Sequence, residues 1–292
     1  MQIARNLIVR LVFSLALLFA LAVAVSPALA QDRTAAMQRV SYGEDRLQGL
    51  LYWPGADDDA PLVVFVHGGG WSRGDMRMME GSAKLEHWQS LGYAVASVNY
   101  RLVPDATVEE QAGDVASALA YLKRNAGRLG FDADRVALTG HSAGAHLVAL
   151  VGTDPQYLRA VGLSFADLRG VLPLDGAAYD VAQQMDDGGR LMQGRYRDAF
   201  GTEPARQRAL SPALHAAAPN APDFLILHVQ RRDGRTQSEA LGAALRAAGT
   251  PAVVQEFRGR GLRGHRQINV RLGDPDYPAT PVVDAWLARI FR

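Results

Sequence analysis

The chain contains no cysteine, which excludes disulfides, a thiolate nucleophile and any cysteine-based zinc site. It also lacks an excess of either charge. Lys and Arg number 31 against 30 Asp and Glu, a formal balance of +1, so no global basic field points to nucleic acid or to a membrane surface. Long apolar runs are missing except for one, Leu11 to Val25, which follows Arg5 and Arg10 and precedes Ala28-Leu29-Ala30. A positive start, an apolar stretch and an A-x-A-like site make the layout of a secretory signal peptide over residues 1–30. An exported protein, periplasmic or extracellular, with its mature start near Gln31 is therefore expected. The run is short for a span of about 20 residues, so no stable membrane span is expected after processing. Without Arg5 and Arg10 the charge drops by two, to −1. A disulfide-free exported chain rests on its core, and a hydrophobic content of 48% is enough to build one. There is no internal repeat and no low-complexity tract.

What is present is an alternation of short apolar runs and amphipathic stretches. Two extended segments near Met37–Tyr42 and Leu47–Trp53 read as an opening hairpin. Leu62-Val63-Val64-Phe65-Val66 is wholly apolar and β-branched, as a strand buried on both faces requires. Helical patterns at Lys84–Leu91 and Val108–Asn125 flank a strand at Tyr93–Val98. Further strands are expected at Arg169–Leu174, Asp223–Val229 and Ala252–Phe257, with helices at Thr236–Ala248 and Val282–Phe291. Such spacing implies a mostly parallel sheet with helices on both faces. The single domain, 31–292, is interrupted after the sixth strand by an excursion of short helices, about 176–220, rich in mixed charge and proline.

The organising stretch is Arg135 to Thr153, an apolar strand and an apolar helix joined by Gly140-His141-Ser142-Ala143-Gly144. A G-x-S-x-G turn forces its serine into a strained conformation that projects the hydroxyl from the sheet edge, and the flanking glycines relieve crowding. Ser142 is the candidate nucleophile. After the central strand come His67-Gly68-Gly69-Gly70-Trp71. Consecutive glycines let peptide N–H groups approach a developing oxyanion, with another donor from the residue after the serine. Gly69, Gly70 and Ala143 are the expected donors. No Lys-Ser/Thr follows the glycines, so they do not form a phosphate loop.

A serine hydroxyl needs a base, and the base needs an orienting carboxylate. His87 and His146 fall in helices, His141 in the turn itself, and His228 at a strand end. His67 reads as a loop-orienting residue. His265, in the glycine-rich stretch Gly259 to His265 after the last strand, is the expected base. Chain order permits Asp175 or Asp233 as the acid. Asp233 is favoured because it leads into a helix one strand before His265; its alternative reading is a helix cap.

The motifs His67–Asp75, Asn99-Tyr100-Arg101-Leu102, Gly140–Gly144, Asp233 and His265-Arg266-Gln267-Ile268-Asn269 together resemble the α/β-hydrolase esterase/lipase superfamily, in particular hormone-sensitive-lipase-like carboxylesterases and ferulic-esterase-like proteins. The resemblance implies an α/β-hydrolase fold and Ser142, His265 and Asp233 as the triad. It departs at His228-Val-Gln-Arg-Arg-Asp233, where the common pattern is His-Gly-x-x-Asp, and in the arginines 258, 260, 263 and 266 around His265. Those arginines, with Arg231, Arg232 and Arg235, are either a solvated surface or a rim that prefers anionic substrates. The expected activity is hydrolysis of a small-molecule carboxylic ester through an acyl-enzyme, with no metal or organic cofactor. Cleavage of an amide by the same residues, or a binding protein on the same fold that has lost turnover, are the alternatives.

Overall fold

The computed structural model describes residues 37–188 and 190–292; the expected signal peptide at 1–30 lies outside the described residues. Eight strands, β1 Gln38–Ser41, β2 Gly49–Trp53, β3 Leu62–Val66, β4 Ala94–Val98, β5 Val136–His141, β6 Gly170–Leu174, β7 Phe224–Gln230 and β8 Ala252–Arg260, form one sheet in the order β1-β2-β4-β3-β5-β6-β7-β8. The opening hairpin and the β2–β4 pair are antiparallel; every other pair is parallel. Adjacent parallel strands need crossovers, and the helices supply them.

Helices α1 Ala83–Ser90, α2 Val108–Arg124 and α3 Ala143–Thr153 follow β3, β4 and β5. The start of α2 is a capping box, in which Thr107 accepts from the Glu110 N–H and Glu110 accepts from the Thr107 N–H. Along β3 the side chains alternate between two cores. Leu62, Val64 and Val66 join the cluster that includes Val115 and Leu119 of α2 and Leu147 and Leu150 of α3. Val63 and Phe65 join the opposite cluster with Leu85 and Trp88 of α1. Each such side chain contributes roughly 1.5–3 kcal/mol by leaving water, and burial on both faces explains the unbroken apolar run.

After β6 the excursion consists of α4 Val181–Asp187, α5 Arg190–Phe200, α6 Pro204–Ala209 and α7 Pro212–His215. Phe200 packs edge-on against Trp71 with ring centroids 4.7 Å apart, and Arg206 bonds Glu109 of α2 at 2.7 Å. The chain closes with α8 Arg232–Ala247, α9 Gly261–Arg271 and α10 Ala279–Ile290. Two boundaries differ from the sequence expectation. The helix after β7 starts at Arg232, four residues early, so Asp233 stands in its first turn and not in a loop. The glycine-rich stretch before His265 is not a loop either, because β8 continues to Arg260 and α9 begins at Gly261. Among the described residues, no helix is long and apolar enough to cross a membrane.

Candidate active site

Ser142 sits between β5 and α3 with φ 59° and ψ −118°, a conformation that L side chains rarely adopt. The turn closes so tightly that a β-carbon on Gly140 would stand 2.4 Å from the Gly144 carbonyl oxygen, and one on Gly144 would stand 2.2 Å from that of Val66. Only glycine fits at either place. The Ser142 N–H donates to the Leu174 carbonyl at 3.1 Å, tying the elbow to the end of β6.

His265, on the first turns of α9, reaches back over the sheet edge. The Ser142 Oγ–H donates to its Nε2 at 3.0 Å, and its Nδ1–H donates to Asp175 Oδ2 at 2.5 Å. Ser142 and His265 are thus brought together as expected. Asp233 is not part of the relay. Its carboxylate meets Arg231 Nη1 at 3.2 Å and Gln184 at 3.4 Å. The carboxylate that meets the imidazole is that of Asp175, the residue after β6. β6 lies beside β5, which carries the serine, and Asp233 is held away in the first turn of α8, where it pairs with Arg231. Asp175 is also in the left-handed region, at φ 46°, which turns its side chain back toward the imidazole.

Asp175 is fully buried. Burial alone would raise its carboxyl, but the hydrogen bond from His265, the Arg231 charge and the Val229 N–H outweigh it and hold the group below the usual carboxylate range. The Val229 N–H donates to Oδ1 at 3.0 Å, and Arg231 Nε lies 3.3 Å from Oδ2, a charge contact without hydrogen-bond alignment. Arg231 therefore serves two carboxylates at once, Asp175 and Asp233.

His141 stands next to the serine in the turn, yet it does not point away from the site. It lies instead against the imidazole of His265, ring centroids 4.5 Å apart, and its Nε2–H donates to the His265 carbonyl at 3.0 Å. Burial, then the charge of His265, push its pKa down to about 3, so it is a neutral support under the ring. His146 has a comparable structural part. The Trp71 indole N–H donates to its Nδ1 at 3.3 Å and its Nε2–H donates to the Leu210 carbonyl at 2.9 Å, which links the glycine loop, α3 and the excursion. Burial lowers its pKa to about 4. His67 stacks on Tyr100 at 4.4 Å and is buried, which lowers its pKa as well. It orients the loop and does not face the serine.

Gly69, Gly70 and Ala143 line the same cavity of about 930 Å³ as Ser142, His265 and Asp175. Ala143 opens α3, and the first N–H groups of a helix have no acceptor within it. Gln111 donates to the Trp71 carbonyl at 2.7 Å and fixes the glycine loop from behind. Arg101 and Asp114 pair at 2.9 Å, also behind the site. Met192 and Tyr196 of α5 close the cavity from the excursion side.

The BD-FAE family matches residues 50–165, which hold the glycine loop and the elbow. Esterase LipC of Mycobacterium tuberculosis is 32% identical over 223 residues, 71% of this chain and 54% of that protein. Arylesterase of Saccharolobus solfataricus is 26% identical over 83% of this chain and 79% of its own length. Among solved structures, a truncated carbohydrate esterase from gut microbiota superposes with a TM-score of 0.74 at 19% identity, covering 89% of this chain and 98% of that one. A hyperthermophilic esterase from Pyrobaculum calidifontis gives 0.73 at 20% identity, covering 88% and 87%.

The chain has the α/β-hydrolase fold and is similar in sequence to carboxylesterases. This α/β-hydrolase spans about half the length of the mycobacterial relatives LipC and LipM, 54% and 46%. Its Ser142 hydroxyl and His265 imidazole meet as the sequence pattern anticipated, and the carboxylate at that imidazole comes from the end of β6, not of β7.

Proposed function

We propose that the chain hydrolyses carboxylic esters of small molecules through an acyl-enzyme, with Ser142 as nucleophile, His265 as base and Asp175, in place of Asp233, as the acid. One observation carries this reading: a single imidazole bridges the strained serine at 3.0 Å and a buried carboxylate at 2.5 Å. His265 takes the Ser142 proton as the oxygen attacks the ester carbonyl, while Asp175 holds the ring and stabilises the imidazolium. The N–H groups of Gly69, Gly70 and Ala143 receive the oxyanion, each such donor being worth about 3–4 kcal/mol in the transition state. The alcohol leaves with the proton from His265. Water, deprotonated by the same imidazole, then releases the acid and restores Ser142. The esterase names of the relatives support the choice of bond. The charged start and apolar run before Gln31 support export to the periplasm or beyond.

Treating the protein with a fluorophosphonate and locating the adduct by mass spectrometry tests the nucleophile, and p-nitrophenyl esters set against matched anilides test the bond. A single adduct on Ser142, with esters turned over far faster than anilides, is expected. No adduct, or label on another residue, would remove the proposal. The mass of the exported form reads the processing site in the same experiment.

A further inference from the structure

The cavity over Ser142 is more basic than the chain around it. Five arginines line it, Arg73, Arg195, Arg231, Arg232 and Arg266, against two carboxylates, Asp175 and Asp233. Both carboxylates are taken by Arg231, at 3.3 and 3.2 Å. Among the described residues no acidic side chain pairs with any of the other four. Arg195 is the most telling of them. It is half-buried, on the α5 face that closes the cavity. Its Cδ and Nη1 both lie 3.5 Å from where a β-carbon on Gly70 would stand, so its guanidinium hangs beside the glycine loop. A cation partly removed from water with no counter-charge is unfavourable unless an anion arrives to pair with it, and a guanidinium fork suits a carboxylate. At the mouth of the same cavity stand Met78, Leu262 and Val270, with 55%, 77% and 53% of their surface exposed. They offer an apolar body a place to lie.

We infer that the preferred ester carries a free carboxylate on an otherwise apolar skeleton, and that Arg195, assisted by Arg73, Arg232 and Arg266, reads that charge beside the glycine loop. The inference rests on the ester-hydrolase reading and names its substrate class. Arg258, Arg260, Arg263 and Arg235 drop out of the rim suggested by the sequence, because they do not line the cavity, and Arg235 is paired with Glu256.

The test compares kcat/KM within two matched pairs, one for each half of the ester. In the first, the p-nitrophenyl monoester of glutaric acid is set against p-nitrophenyl pentanoate. In the second, 4-carboxyphenyl butyrate is set against phenyl butyrate. A preference of about tenfold for the anionic member of at least one pair at low ionic strength is expected, shrinking toward parity in about 0.5 M NaCl as the charges are screened. Arg195→Gln should reduce that preference severalfold, and Arg195→Lys should restore part of it. Parity in both pairs at low salt overturns the inference and leaves the esterase reading intact. Equal losses on both members of a pair in Arg195→Gln also overturn it, because the guanidinium would then serve the glycine loop and not the substrate charge. Wild-type protein that turns over none of the four esters and takes no fluorophosphonate would instead sink the nucleophile and, with it, everything built on the cavity.

Discussion

A carboxylate that steadies an imidazole acts through its charge and one accepting atom, so an isosteric amide keeps the shape and removes the effect. Asp175→Asn is expected to lower kcat by about 10⁴-fold with KM little changed, as loss of a triad acid does. Asp233→Asn should cost less than tenfold, because Asp233 touches Arg231 and Gln184 and not His265. Steady-state kinetics on a p-nitrophenyl ester decide between them, and a heavier loss in Asp233→Asn would return the acid to the position first expected. Both residues follow the serine and precede the histidine, and nothing in the residue types separates them. What does separate them is a positive φ at Asp175 and the helix turn that pairs Asp233 with Arg231, neither of which one sequence displays. Ser142 was legible because its neighbours must be small. His141 was not, because its part depends on a ring that arrives from more than a hundred residues downstream.

At the scale of elements, the least legible piece is the one that delivers His265. Glycines at 259, 261 and 264 argue against a helix by propensity, and the stretch therefore reads as a loop. The fold needs them for a close approach. A β-carbon on Gly264 would stand 2.4 Å from the Gly259 carbonyl carbon, where α9 leaves β8. From its other end α9 is tethered by buried Lys84 of α1, whose ammonium donates to the Asn269 carbonyl at 2.5 Å. Gly264→Ala should therefore push the helix off the strand and displace the imidazole next door. We expect kcat to fall by at least about 100-fold, in line with the effect of an ångström-scale misplacement, with the protein still folded by circular dichroism. Unchanged kcat in that variant would show that α9 is not what positions His265. The central strands, by contrast, were readable as apolar runs because they are buried on both faces.

For the whole molecule, the strand–helix rhythm was enough to give the sheet and its helices, because crossover geometry leaves few alternatives. Its response to acid follows from buried histidines held below their ordinary value, His67, His141 and His146, the last two furthest. His141 and His146 have folded values of about 3 and 4 against 6.5 when unfolded. Between those values the unfolded chain binds more protons, so stability falls as pH drops below about 6.5, each histidine contributing up to about 1.4 kcal/mol per pH unit. Asp175 adds nothing in that window, since a depressed carboxyl loses its contribution only as pH falls below its ordinary value of 3.8. Urea unfolding between pH 4.5 and 6.5 should show this slope, and His146→Gln should flatten it by about one proton; an unchanged slope would discount the buried neutral imidazole. The same molecule carries a cost that its chemistry imposes. Among the described non-glycine residues, positive φ occurs at Trp71, Ser142, Asp175 and Ala178, three of them at the cavity wall. Ser142→Gly, expected to end the proposed turnover, should then melt several degrees higher than the unsubstituted protein: the inert variant would be the more durable one, and selection for durability alone would erode the very bend that presents the hydroxyl.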